Sequence, residues 1–88
     1  MAQIAQIRIQ RQPELLHQTG YKKSTLYTRI NEGLMPEPIS LGGHRAVGWI
    51  EHETQAVLGA MCAGYSSEQI KELVAELKAK RNELVQGI

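Results

Sequence analysis

Pro36 and Pro38, two residues apart, constrain this chain more than any other feature. Each ring fixes its own φ and pushes the preceding residue out of the helical region, so the backbone from Met35 to Pro38 is expected to be extended. No helix continues through that stretch. Beyond it, Ile39-Ser40-Leu41 alternates as a strand should, Gly42-Gly43 signals a turn, and Ala46-Val47-Gly48-Trp49 makes a return strand. A hairpin tipped by Gly42, Gly43, His44 and Arg45 is therefore expected directly after the prolines.

Upstream, two short helices are expected. Pro13 suits a first turn, where its missing N–H is not needed, and Glu14 is favourable beside the positive helix end. Leu15 and Leu16 follow, and Thr19-Gly20 is a stop, giving a helix over about 13–19. Leu26 and Ile30, four apart, mark the buried stripe of a second helix over 23–32, with Lys23, Ser24, Thr25, Thr28 and Arg29 on its other faces. Gly33 closes it. Two short helices joined by a Gly-containing turn form a helix-turn-helix, and a hairpin placed next is a wing. Residues 1–11 alternate loosely around Ile4, Ile7 and Ile9, which fits either a short strand or an arm.

Downstream the pattern is helical again. A third helix is expected over 50–62, with Glu51 and Glu53 in its acidic first turn and Val57, Leu58 and Met61 at helical spacing. Gly64 ends it. Ser66 with Gln69 makes a capping box for a fourth helix, with Tyr65 and Ile70 at the staple positions. Ile70, Leu73, Val74, Leu77, Leu84, Val85 and Ile88 form its apolar stripe, which lapses at Lys80-Arg81, and Gly87 marks its end. The expected organisation is a mainly α protein: an N-terminal arm (1–10), a winged helix-turn-helix with a two-stranded hairpin wing (11–63), and a C-terminal helix (64–88).

Catalysis has little support. At 88 residues the chain makes one small domain, whose core cannot also enclose a large ligand cavity. It contains no Asp, and His17, His44 and His52 have spacings that suit neither a zinc pair nor a triad. Gly42-Gly43 lacks the Gly-Lys-Ser/Thr that completes a phosphate-binding loop. No catalytic residue, metal or cofactor is expected. Cys62 is alone, which excludes an internal disulfide, fits a reduced cytoplasmic protein, and reads as a small buried hydrophobe. Neither a secretory signal nor an apolar run of the ~18 residues needed to span a membrane is expected here.

Charge is unevenly distributed. From Met1 to Trp49, Arg8, Arg11, Lys22, Lys23, Arg29 and Arg45 face only Glu14, Glu32 and Glu37, a net of +3. From Ile50 onward, four cations face six glutamates, a net of −2. Lysines at a helix N-terminus oppose the helix dipole, so Lys22 and Lys23 want a reason to be there. A phosphate shared between their ammonium groups and the helix N–H groups supplies one. Ser24, Thr25, Tyr27, Thr28 and Arg29 follow on the same helix, within reach of base edges or phosphate, although Tyr27 fits a half-buried core position equally well.

Specific runs carry a family resemblance. Pro13-Glu14-Leu15-Leu16 through Thr19-Gly20, then Lys23-Ser24-Thr25-Leu26-Tyr27 to Ile30, resemble the helix-turn-helix of the AlpA family of prophage regulators. Met35-Pro36-Glu37-Pro38-Ile39-Ser40-Leu41-Gly42 and Val47-Gly48-Trp49-Ile50-Glu51 are similar to that family's wing and third helix. The family usually has Ser at the helix cap where this chain has Lys22, and the hairpin here is a residue longer than that of many relatives. The resemblance implies a winged helix-turn-helix that binds double-stranded DNA, related in layout to MerR-type regulators and excisionases. It puts Lys23, Ser24, Thr25, Tyr27 and Arg29 on the recognition helix, His44 and Arg45 on the wing, and Trp49 at its core anchor. Gly64-Tyr65-Ser66 with Glu68 to Leu73 also resembles the segment preceding the dimer helix of MerR-type proteins.

The expected function is therefore that of a transcriptional regulator of prophage-type genes, an activator working at initiation or by antitermination through RNA polymerase. Arg8, Arg11, Lys22, Lys23, Arg29 and Arg45 are the expected phosphate contacts, while Ser24, Thr25, Thr28 and Arg29 are the expected base readers. Two alternatives use the same residues differently: an excisionase that bends DNA, and an adaptor acting through its C-terminal helix. That helix has three readings, namely a homodimer contact, packing on its own domain, and a face for RNA polymerase.

Overall fold

The computed structural model of the protein describes residues 6–86. Helix α1 runs Gln12–Thr19. Glu14 reaches back to accept from the Arg11 backbone N–H at 3.4 Å, and Gly20, at φ 76°, donates its own N–H to the Leu16 carbonyl. Helix α2 runs Lys23–Asn31, with Leu26 fully buried and Ile30 half-buried beside it. The turn between them spans only Gly20, Tyr21 and Lys22, so the pair forms the expected helix-turn-helix.

Three strands follow from the chain's extended stretches. β1 is Ile9–Gln10, β2 is Ile39–Ser40 and β3 is Val47–Ile50, in the antiparallel order β1-β3-β2. The wing is therefore backed by a third strand, and Ile9 and Gln10 belong to the sheet rather than to an arm. Ile4 lies outside the described residues. Gly48 explains why β1 can approach so closely: a Cβ there would sit 2.5 Å from Ile9 Cγ2 and 3.2 Å from the Gln10 carbonyl oxygen. Trp49, next in line, is fully buried and donates its indole N–H to the Pro36 carbonyl at 3.1 Å. The hairpin is thus tied to the double-proline segment through the core.

Helix α3 (Glu51–Cys62) presents a face different from the expected one. Glu53, Thr54, Val57 and Ala60 are its buried residues, Leu58 is half-buried, and Met61 is exposed. Two polar residues can be buried because both are paired. Thr54 donates its hydroxyl to Gln10 Oε1 at 2.6 Å, and Gln10 passes a hydrogen bond on to Gln18 at 2.7 Å. Cys62, expected to be buried, is exposed instead. It follows Ala60 by two residues, about 200° around the helix from the buried face.

The C-terminal part folds back onto this core. Helix α4 (Ser67–Ala79) begins with the expected box: Ser66 Oγ accepts from Gln69 N–H at 3.2 Å, and Gln69 Oε1 from Ser66 N–H at 2.9 Å. Ile70 is buried, while Tyr65 is half exposed. The helix is not continuous to Gly87, which lies outside the described residues. A 3₁₀ turn, Lys80–Asn82, interrupts it before the short α5 (Glu83–Gln86), where the apolar stripe lapses. Arg81 in that turn grips the 1%-exposed Glu53 with two hydrogen bonds, Nε to Oε2 at 2.9 Å and Nη2 to Oε1 at 2.7 Å. Hydrogen bonding to Glu53 holds the guanidinium above its ordinary pKa, against the opposing effect of burial. Ile70 joins Leu15, Leu26, Met35, Trp49, Val57 and Ala60 in one cluster, with Leu73, Val74 and Leu77 packed against it. The architecture is mainly helical, a winged helix-turn-helix closed by its C-terminal helix.

Candidate nucleic-acid interface

On α2 the burial of Leu26 fixes which side faces outward. At about 100° per residue, Ser24, Thr28 and Asn31 fall within a narrow sector opposite Leu26 and Ile30, and all three are exposed. Thr25 and Tyr27 flank the sector, both half-buried. Over the seven steps from Ser24 to Asn31 the helix advances about 10 Å, close to the height of three base-pair steps. Asn31 is not among the residues that the sequence singles out. It is helical, so it does not serve as a left-handed cap, a place taken by Gly33 at φ 79°. The signal that would have found it is its i+7 spacing from Ser24.

The other expected residues divide into two groups. Lys22 and Lys23 are exposed at the start of α2, and the N-cap, Lys22, offers no side-chain cap to the first-turn N–H groups. Positive side chains and open backbone donors thus share one corner. Tyr27 is tied down: its ring stands edge-on to Trp49, 6.4 Å between centroids, and its hydroxyl accepts from Gln12 Nε2 at 3.1 Å. Tyr27 thus occupies the half-buried position that its core reading expects. Arg29 leaves the exposed sector and lies half-buried, 6.0 Å above the Tyr21 ring.

The wing and the N-terminal segment complete the face. His44 and Arg45 are exposed at the hairpin tip, which is closed by Leu41 N–H to Ala46 O at 2.8 Å. Arg45 has φ 63°, the left-handed region where a non-glycine side chain costs about 1–2 kcal/mol. Arg11 Nε donates to the Val47 carbonyl at 3.0 Å. Arg11 and its neighbour Gln12 therefore bridge the wing strand and α2. Arg8 sits at the other end of the sheet, its carbonyl accepting from Glu51 N–H at 2.9 Å. The structure brings Arg11 beside the wing and leaves Arg8 apart from it.

Away from this face the charges are mostly paired. Lys78 approaches Glu37 at 2.6 Å and Lys80 approaches Glu76 at 2.9 Å. The hydrogen bond from Lys78 holds the Glu37 carboxyl below its ordinary range, and that from Lys80 does the same for Glu76. Among the described residues no group of three His, Cys, Asp or Glu side chains converges as a metal site. No helix of the described residues is long and apolar enough to cross a membrane.

Comparison with known proteins points the same way. The family model described as "Prophage CP4-57 regulatory protein (AlpA)" matches residues 8–56. The uncharacterized protein ORF88 of Enterobacteria phage P4 is 39% identical over 61 residues, which cover 69% of this chain and 68% of that protein. No solved structure matches the chain. The matched stretch runs from the segment before β1 through both helices and the wing into α3, and the chain belongs to the AlpA family of prophage regulatory proteins.

Proposed function

We propose that this protein binds duplex DNA in the cytoplasm through α2 and the wing, and activates transcription of prophage-type genes, at initiation or by antitermination. The observation that carries the reading is the strained Arg45 at the wing tip. Glycine relieves a left-handed φ, and this loop already uses it at Gly42, yet the tip keeps a long cation in an unfavourable backbone. Such a side chain is explained by something outside the protein that it reaches, and a phosphate or minor groove beside the recognition helix fits. Lys22 and Lys23, exposed at the start of α2, and Arg11, beside the wing strand, supply further positive charge. Ser24, Thr28 and Asn31, with Thr25 at the edge, offer hydroxyl and amide groups to base edges, and Arg29 reaches the groove from its flank.

Contact with RNA polymerase belongs to the acidic C-terminal half, where Glu68, Glu72 and Glu76 are exposed. Two copies on adjacent half-sites would raise affinity and lengthen the site. The α4 stripe is spent on the protein's own core, so such a homodimer would use another surface. The test is selection of bound fragments from the source genome with purified protein, followed by in vitro transcription from them. Fragments at promoters with increased transcript support the reading. Fragments confined to attachment sites, bent on binding, would replace it with an excisionase role, and recovery of none would end it.

A further inference from the structure

A wing can add to affinity only if its base is held at a fixed height over the duplex. The hairpin here stands on Pro36 to Pro38, a stretch outside any helix or strand. Two of its carbonyls are held by side chains from elsewhere. Trp49 Nε1 donates to the Pro36 carbonyl at 3.1 Å, and Arg81 Nη2 donates to the Glu37 carbonyl at 2.9 Å. Arg81 is itself fixed, because its Nε and Nη2 engage both carboxylate oxygens of the buried Glu53. One planar guanidinium thus joins α3, the approach to the wing, and the end of the C-terminal helix.

Stability alone does not call for this arrangement. A buried ion pair is often no better than well-packed apolar side chains of similar volume. What Met and Leu in those places could not supply is the donor to the Glu37 carbonyl, and a lysine, a single point charge, could not span both partners as the fork does. We propose that Arg81 is a positioning residue for DNA binding, setting the wing over the duplex through the Glu37 carbonyl. The proposal rests on the DNA-binding reading above. It makes the C-terminal helix part of the interface without touching DNA.

The test compares the effect of Arg45→Ala in two backgrounds. In the native chain that substitution should weaken duplex binding about tenfold, the value of one charge-assisted contact. In the Glu53→Leu/Arg81→Met background, which removes both charges together and so leaves neither unpaired, Arg45→Ala should change affinity less than twofold. The double variant alone should already show a salt slope shallower by about one. Arg81→Lys keeps a cation facing Glu53 and should show the same insensitivity to Arg45→Ala, with an unchanged far-UV CD spectrum. A full tenfold effect of Arg45→Ala in either background overturns the proposal while leaving DNA binding intact. A native chain with no salt-dependent duplex binding overturns both readings.

Discussion

Arg45 sets local backbone preference against its proposed role on DNA. Glycine there would relieve about 1–2 kcal/mol of left-handed strain and lose about 0.5–1 kcal/mol to unfolded-state entropy. Arg45→Gly should therefore leave the melting temperature level or slightly higher while DNA affinity falls about tenfold, read by thermal melts and fluorescence anisotropy. Unchanged affinity would remove the wing from the interface. Asn31 makes the opposite kind of claim, about specificity. An Asn held bidentate on adenine is worth about 1–3 kcal/mol of discrimination, so Asn31→Ala should flatten the preference at one base pair in a randomised-site selection, with bulk duplex affinity retained. The sequence revealed the lysines and Arg45 through charge and glycine context. It did not reveal that Arg29 leans over Tyr21, because that depends on a turn joining two helices rather than on spacing within one. Asn31 is missed as well, although its i+7 spacing from Ser24 sets it opposite the Leu26–Ile30 stripe.

At the scale of elements, short-range signals were legible and long-range partners were not. The double proline, the glycine stops and the Ser66 box place α1, α2, the hairpin and the start of α4 within a residue or two of where local chemistry expects them, while the end of α4 comes eight residues before Gly87. The outward-rotated Met61 and Cys62 of α3 were misread, since apolar spacing alone could not foresee that Glu53 and Thr54 have buried partners on Arg81 and Gln10. The lapse at Lys80-Arg81, a flaw in a coiled-coil seam, is the place where the C-terminal helix locks onto its own domain. Trp49→Ala should cost about 3–5 kcal/mol, because it empties the centre of the core and frees the Pro36 carbonyl. Urea denaturation measures this, and a near-native midpoint would show that the wing is anchored elsewhere.

Helix α2, the wing strand and the C-terminal helix share one core, so the protein should unfold as a single cooperative unit. Truncation after Ala63 removes Ile70, Leu73, Val74 and Leu77 from that core and leaves Glu53 without Arg81. An uncompensated buried charge alone costs about 3–5 kcal/mol, a large part of what a domain of this size has. The shortened chain should show no cooperative melt, and a folded 1–63 fragment would contradict this picture. Lys22, Lys23, Arg11 and Arg45 are all exposed, a cluster of cations in the N-terminal half of a chain whose net charge is only +1. The most direct measurement is a salt titration of duplex binding by the full chain. Four to six neutralised phosphates predict a log–log slope near −4 to −5, which Lys22→Ala, Lys23→Ala and Arg45→Ala should each reduce by about one. Binding that ignores salt, or no binding to any duplex, would contradict the account at its centre.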